Sequence, residues 1–520
     1  MHLVTFLASG AKLVALLRSA CPWPENTRIR EGRNTTASGS VRYQSAMEFK
    51  KPFVRSAMAA IYVIASVCTL NLCAQAQTNS VETLRPTRFL LEPSGQDGPV
   101  SLNLPRETWT DPDSNDLPGD PQTQKAHSTV SKLVSAAGTR KRLAPRREDY
   151  TVLNFGNKHW NVIVGGLDQG AGVAFGGELT TADSIKGVEF RLAVITSTLL
   201  YFRTEIAANV PRVFNEKSHA EVWFDYVRRR FDPFYGVGNR TNKDDKTPFA
   251  LEFRNLGGTF SYDLTRRINT GVYVSRHNAA NYVADVNDLP LINEKFSGDP
   301  NTVPVSNYTP GLLQNTDILA YGVFAELDYR NDASGLTRGA FLYARLNSAD
   351  SLNSGPRQDF GWLESQLDGR VYIPLGSHKT SLALRAFSDS KNPKGGSLIP
   401  FFLESRLGGR SVVRGFGNWR FVANNLLYFS GELRRTVHTL SETRGIDVVA
   451  IGDVGRAWGD TRSSTDPVIL RNNQFSEAPW RAGYGGGVQF RYNQDAAFRL
   501  DLVHSPERSI IIYFSFSRGF

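Results

Sequence analysis

From Tyr150 onward, apolar and polar residues alternate with a period of two. In "WRAGYGGGVQFRY", Trp480, Ala482, Tyr484, Gly486, Val488, Phe490 and Tyr492 take one face; Arg481, Gly483, Gly485, Gly487, Gln489 and Arg491 take the other. Likewise Phe190, Leu192 and Val194 oppose Glu189 and Arg191, and Phe498, Leu500 and Leu502 oppose Arg499 and Asp501. This pattern predicts strands with one apolar and one strongly polar face. A soluble sandwich also alternates, but its strands usually run to about five or six residues. Here the runs reach about ten, the span of a tilted membrane-crossing strand.

The connections sort by length. The pattern predicts sixteen strands, the first near 159–167 and the last near 509–520, with the twelfth near 424–436 and the thirteenth near 446–457. Turns after even-numbered strands are short, such as "TRR", "NDASG", "GSHK" and "NQ". The long connections, including 279–317, the segment holding Arg414 and "GDTRSSTDPVILRNNQFSEAP", follow odd-numbered strands. A barrel entering the outer membrane from the periplasm has short turns inside and long loops outside. The fold class expected is therefore all-β: a 16-stranded antiparallel transmembrane β-barrel spanning 146–520.

The upstream region reads differently. "MEFKKPFVR" is a basic start, "SAMAAIYVIASVCTLNL" an apolar core, and Ala74-Gln75-Ala76 a cleavage signal. Residues 47–76 are thus expected to be a secretory signal peptide, with a mature start near Gln77 and delivery to the outer membrane. Residues 1–46 would be an upstream extension, with Met1, Met47 and Met58 all open as the start. Residues 1–76 carry nine of the Lys/Arg and three of the acids, so most of the net charge of +10 lies in them and nucleic-acid binding loses its main support. All three cysteines (Cys21, Cys68, Cys73) lie there too, leaving the barrel without disulfide or thiolate chemistry. Residues 77–145, rich in proline and holding only Phe89 and Trp109 as aromatics, are expected to be a disordered linker.

One stretch fits neither strand nor helix: "GGRSVVRGFGNWRF", residues 408–421. Its glycines permit a tight or left-handed backbone. A buried Arg414 needs a carboxylate partner. The strand count places this segment in the sixth outside loop.

Here the chain resembles the outer-membrane insertases and translocators typified by BamA and TamA, which share the bacterial surface antigen barrel domain. The family signature is a "VRGF" or "VRGY" tip on an inward-folded sixth loop, present here as Val413, Arg414, Gly415 and Phe416. The resemblance implies that Arg414 meets an acid on the thirteenth strand, where "IGDVG" supplies Asp453 and Gly455. The family's "ELR" on the twelfth strand appears as Glu432-Leu433-Arg434. The last strand, "SIIIYFSFSRGF", resembles the terminal-phenylalanine signal read by barrel-assembly machinery, through Phe514, Phe516 and Phe520; Arg518 departs from it. Residues 77–145 are too short and proline-rich for an ordinary POTRA domain, so a barrel without such domains is expected.

The resemblance implies assistance in inserting or translocating proteins, or lipids, with unfolded polypeptides as clients and outer-membrane lipids, lipopolysaccharide included, as surroundings. A passive porin-like channel and a structural surface antigen are the alternatives. The glycine clusters at 165–172 and 483–487 lack a P-loop lysine. "RRR" at Arg228–Arg230 is placed in the third outside loop as solvated charge or a lipopolysaccharide-phosphate contact. Histidines show no ligand spacing, so neither metal nor cofactor is expected. His504 and Ser505 are adjacent on a strand and point to opposite faces, and no enzymatic chemistry is expected.

Overall fold

The computed structural model describes residues 159–515, apart from 166, 168–169, 182–186, 287, 331–337, 354–358, 377–378, 442–443, 461, 463–473 and 492–496. The expected extension, signal peptide and linker, together with Phe516 and Phe520, lie outside the described residues.

Among the described residues, eighteen strands follow in chain order: β1 (Trp160–Gly165), β2 (Ala174–Thr180), β3 (Glu189–Ser197), β4 (Phe202–Val210), β5 (Ser218–Phe234), β6 (Thr247–Thr265), β7 (Ile268–Val283), β8 (Thr316–Asp328), β9 (Gly339–Ser351), β10 (Gly361–Pro374), β11 (Thr380–Pro393), β12 (Ser405–Leu407), β13 (Phe421–Ala423), β14 (Asn425–Thr439), β15 (Gly445–Trp458), β16 (Arg481–Arg491), β17 (Ala497–Ser505) and β18 (Arg508–Ser515). Sixteen of them form one antiparallel sheet in sequence order. The exceptions, β12 and β13, pair with each other inside the sixth loop. β1 and β18 end the sheet order, and among the described residues no ladder joins them.

Burial shows why the sheet curls into a barrel. On β3, Phe190, Leu192 and Val194 are exposed, while Arg191, Ala193 and Ile195 between them are buried. The same inversion recurs on β7, where Val272 and Val274 are exposed and Ser275 is buried. A flat sheet would leave its charged face in water. Here that face is the interior, and the apolar face is the one suited to lipid.

Register locates the outer border of the apolar belt. Phe224 of β5 stands opposite Leu256 of β6, and the next outward positions are Tyr226 and Arg254, then Arg228 and Glu252. On β7, Val274 gives way to Arg276, which pairs with Asp317 of β8 at 2.8 Å. Charge appears where strands leave the hydrocarbon.

Two placements differ from the sequence reading. Arg228–Arg230 lie on β5, because Asp232, Pro233 and Phe234 resume pairing with Phe249, Pro248 and Thr247 beyond an irregularity after Arg229. The fourth outside loop is shorter than 279–317, since β7 continues to Val283 and β8 starts at Thr316. That loop packs onto its neighbours: Ile292, Phe296 and Leu312 join Phe234, Phe249, Phe401, Phe402 and Val422 in one buried cluster. Phe401, from the sixth loop, sits 4.8 Å from Phe234 and 4.9 Å from Phe249, ring centre to ring centre. These aromatics fill the outer end of the interior.

Val272 faces outward within the belt. Val272→Arg should cost about 2–4 kcal/mol if the position is near the midplane, read as a lower denaturant midpoint for the barrel refolded in lipid vesicles.

Candidate functional site

The sixth loop occupies residues 394–424, between β11 and β14. Its path back onto the wall needs unusual backbone. Gly408, Gly409 and Gly415 have φ of 112°, 105° and 97°. Val413 and Trp419 also have positive φ, 53° and 51°, at a cost of about 1–3 kcal/mol each for side chains that avoid this region. The side chain of Val413 is fully buried and fills the space left by Gly455, where an added Cβ would stand 2.6 Å from Val413 Cγ2. Sequence pointed to Gly455 through the "DVG" motif; the structure gives its physical reason.

Arg414 is 4% exposed and fully engaged. Its Nε and Nη2 donate to the two carboxylate oxygens of Asp453 at 2.7 and 2.8 Å, the forked geometry a guanidinium prefers. Its Nη1 donates to Glu432 Oε1 at 2.6 Å, and Nη2 also donates to Ser430 Oγ at 3.1 Å. The backbone N–H of Arg414 donates to Asp453 Oδ2 at 3.0 Å. Asp453 lies opposite Ser430 in the β14–β15 register, so both point to the same inner face.

The site is larger than the sequence indicated. Glu432 also accepts from Arg499 at 2.8 and 3.0 Å and pairs with Arg434 at 2.6 Å. Arg499 in turn donates to Asp501 at 2.8 Å, and Asp501 lies 3.6 Å from Arg414. Three guanidinium groups and three carboxylates are thus buried together with balanced charge. Arg434 is linked to Arg414 through Glu432. Arg499 and Asp501 were legible as polar-face residues of their strand, but nothing local marked them as partners of the loop.

Contacts to the last strands anchor the tip. Gly415 N–H donates to Tyr513 Oη at 2.9 Å, and the Tyr513 hydroxyl donates to Phe416 O at 2.9 Å. Ser505 Oγ donates to Gly415 O at 2.5 Å. Arg410 Nη1 reaches Phe514 O at 3.4 Å. β16 makes room for this approach: a Cβ on Gly483 would stand 1.8 Å from Arg414 O. Phe416 packs against Phe421 at 5.7 Å, and Trp419 lies between Arg406 and Arg229 at 4.3 and 5.0 Å. Phe514 itself is exposed on the outer face.

Glu404, also in the loop, is buried with Oε2 unbonded. Burial, and then the charge of Asp460, push its carboxyl well above the usual carboxylate range. Its folded-state affinity for a proton exceeds that of the unfolded chain, so its contribution to stability is complete below the ordinary value of 4.5 and is lost as pH rises through the raised one.

An outer-membrane β-barrel with a sixth loop bound to its inner wall defines a class, and the family comparison agrees. Residues 190–505 match the model of the Omp85 superfamily domain. The chain belongs to the Omp85 superfamily, the outer-membrane barrels of insertase and translocator type. BamA from Haemophilus ducreyi lacking POTRA domains 1–3 is 14% identical, with 76% of this chain and 77% of that chain covered and a TM-score of 0.49. CdiB from Escherichia coli is 13% identical over 68% of this chain and 61% of that one, with a TM-score of 0.45. CdiB from Acinetobacter baumannii is 13% identical over 68% and 58%, with a TM-score of 0.41. No curated protein matches the sequence.

Arg414→Ala strands Asp453 without its forked partner and should cost about 3–5 kcal/mol, seen as loss of the heat-modifiable folded band on a gel. Arg414→Lys, which keeps the charge but not the fork, should fall between this variant and wild type. For Glu404→Gln, unfolding midpoints measured from pH 5 to 8 should stay flat relative to wild type, whose stability falls over the same rise.

Proposed function

We propose that this barrel assists the insertion or translocation of polypeptides, or of lipids, at the outer membrane, and does so without enzymatic chemistry. One observation carries the reading. The Val413–Phe416 tip is bound on one side to the charge cluster of β14, β15 and β17, and on the other to Tyr513 of β18. The loop therefore braces the strand that ends the sheet. A junction between β1 near Val162 and β18 near Phe514 can then yield while the rest of the wall stays fixed.

Two further features support it. A cavity of about 840 Å³ opens at the short-turn end, lined by both signs of charge, among them Glu189, Arg191, His219, Asp263, Arg267 and Glu326. Mixed charge suits an unfolded polypeptide better than a single type of ion. At the other end the Phe234–Phe249–Phe401 cluster obstructs the path an open porin would need. His504 and Ser505 do not form a dyad: His504 contacts Ser509 O, while Ser505 bonds the loop.

Export through a signal peptide at 47–76, with maturation near Gln77, completes the proposed route. The barrel-assembly machinery is the partner for insertion of the chain itself, and outer-membrane lipids, lipopolysaccharide included, are its surroundings.

Depletion of the protein followed by an inventory of outer-membrane proteins and lipids tests the reading; selective loss of one class is expected. An unchanged inventory, with steady ion-selective conductance of the purified protein in planar bilayers, would make it a passive channel. Tyr513→Phe removes a hydroxyl that makes both a donor and an acceptor bond to the tip. It should leave a folded barrel yet lower activity in the same assay.

A further inference from the structure

We infer that the outer rim carries a binding site for a phosphate monoester, at a place distinct from the Arg414 cluster. A cavity of about 640 Å³ lies where the third loop, the sixth loop and the β17–β18 turn converge. Its walls include Tyr235, Lys243, Lys246, Arg420, Glu507 and Arg508.

The charges are unequal in their engagement. Arg420 is 3% exposed and committed to the scaffold: Nε donates to Glu507 at 2.9 Å, while Nη1 and Nη2 donate to Thr241 at 2.8 and 2.6 Å. Its guanidinium also stacks 4.8 Å from the Tyr235 ring. Arg420 thereby pins three separate segments and neutralises Glu507. Lys243, Lys246 and Arg508 have no such partner; among the described residues none of their side chains forms an ion pair. Asp244 is the other acid of the lining, and it is exposed.

Three cations thus face one solvated carboxylate around a cavity of fixed shape. Lys246 is half-buried, and burial together with the charge of Arg508 lowers its affinity for a proton. Like charges held this way repel one another unless an anion enters between them. A phosphate monoester matches the need, with up to two negative charges and several acceptor oxygens for Lys and Arg donors. A carboxylate would leave part of the positive charge unmatched.

The same chemistry has two sources at this rim: the phosphorylated headgroup of an outer-leaflet lipid, and soluble phosphate or sugar phosphate. The site does not depend on whether the barrel handles clients, so its failure and the failure of that reading are separate results.

The test uses the full chain purified in detergent, titrated calorimetrically with inorganic phosphate and with phosphatidylcholine vesicles containing intact or dephosphorylated lipopolysaccharide. Binding of inorganic phosphate and the phosphorylated vesicles is expected, with the dephosphorylated vesicles weaker. The Lys246→Gln/Arg508→Gln variant should lose about tenfold or more in affinity while keeping the folded band. Lys243→Gln, at an exposed position, is the second variant and should lose about threefold. Response to phosphorylated vesicles alone assigns the site to a lipid headgroup, and response to both admits the soluble ligand. No binding by the wild type, or unchanged affinity in both variants, overturns the proposal.

Discussion

Charge held inside a lipid-facing wall is tolerable only when it is neutralised and hydrogen-bonded, and the Arg414 cluster meets that condition through six side chains. Arg414, Arg434 and Arg499 share Glu432, Asp453 and Asp501, each acid contacted by at least one guanidinium. A single pair would leave spare donors or acceptors buried, at a cost of about 1–3 kcal/mol for each neutral group and more for a charged one. The shared arrangement removes that cost, and it couples β14, β15 and β17 to a loop from elsewhere in the chain. The position of the tip beside β18 follows from where this cluster fixes Arg414.

Other parts of the interior repeat the principle on a smaller scale. Asp368 accepts from Arg370 and Arg385, at 2.6 and 2.9 Å. Glu205 pairs with Arg191 and Arg203 across β3 and β4. In each case carboxylate and guanidinium belong to the same or neighbouring strands, so these pairs stitch the wall locally. The Arg414 cluster instead ties three strands of the wall to the tip of the sixth loop. That difference separates a site that stiffens the cylinder from one that can govern how its ends behave.

Strand number, the sidedness of the loops and the partner of Arg414 were legible because each rests on a short-range signal. Alternation at Phe190–Val194 marks a strand, and "VRGF" with "DVG" marks a contact already known in kind. The remainder depended on register, which the sequence does not encode locally. Tyr513 bonds the tip because the β17–β18 pairing sets it opposite Asp501, beside Arg414, and the pattern "IIIYF" marks only which face it occupies. Arg228–Arg230 looked like loop because a bulge interrupts the strand there and two prolines flank its resumption, at Pro233 and Pro248. The folding of the fourth loop onto Phe401 and Phe402 had no sequence signal, since it needs loops some hundred residues apart to meet.

The glycines of β15 and β16 have unequal freedom to vary. Gly452 turns outward with nothing within 4 Å of an added methyl, so alanine there meets only the surrounding medium. A methyl at Gly487 would fall 2.0 Å from Asp501 Oδ1, and one at Gly483 would collide with the loop backbone. Evolutionary drift on this stretch should therefore be one-sided, free on the face turned to lipid and nearly frozen on the face turned to the latch. A set of diverged sequences would record the loop's presence at Gly483 of β16, a position with no side chain of its own to offer it.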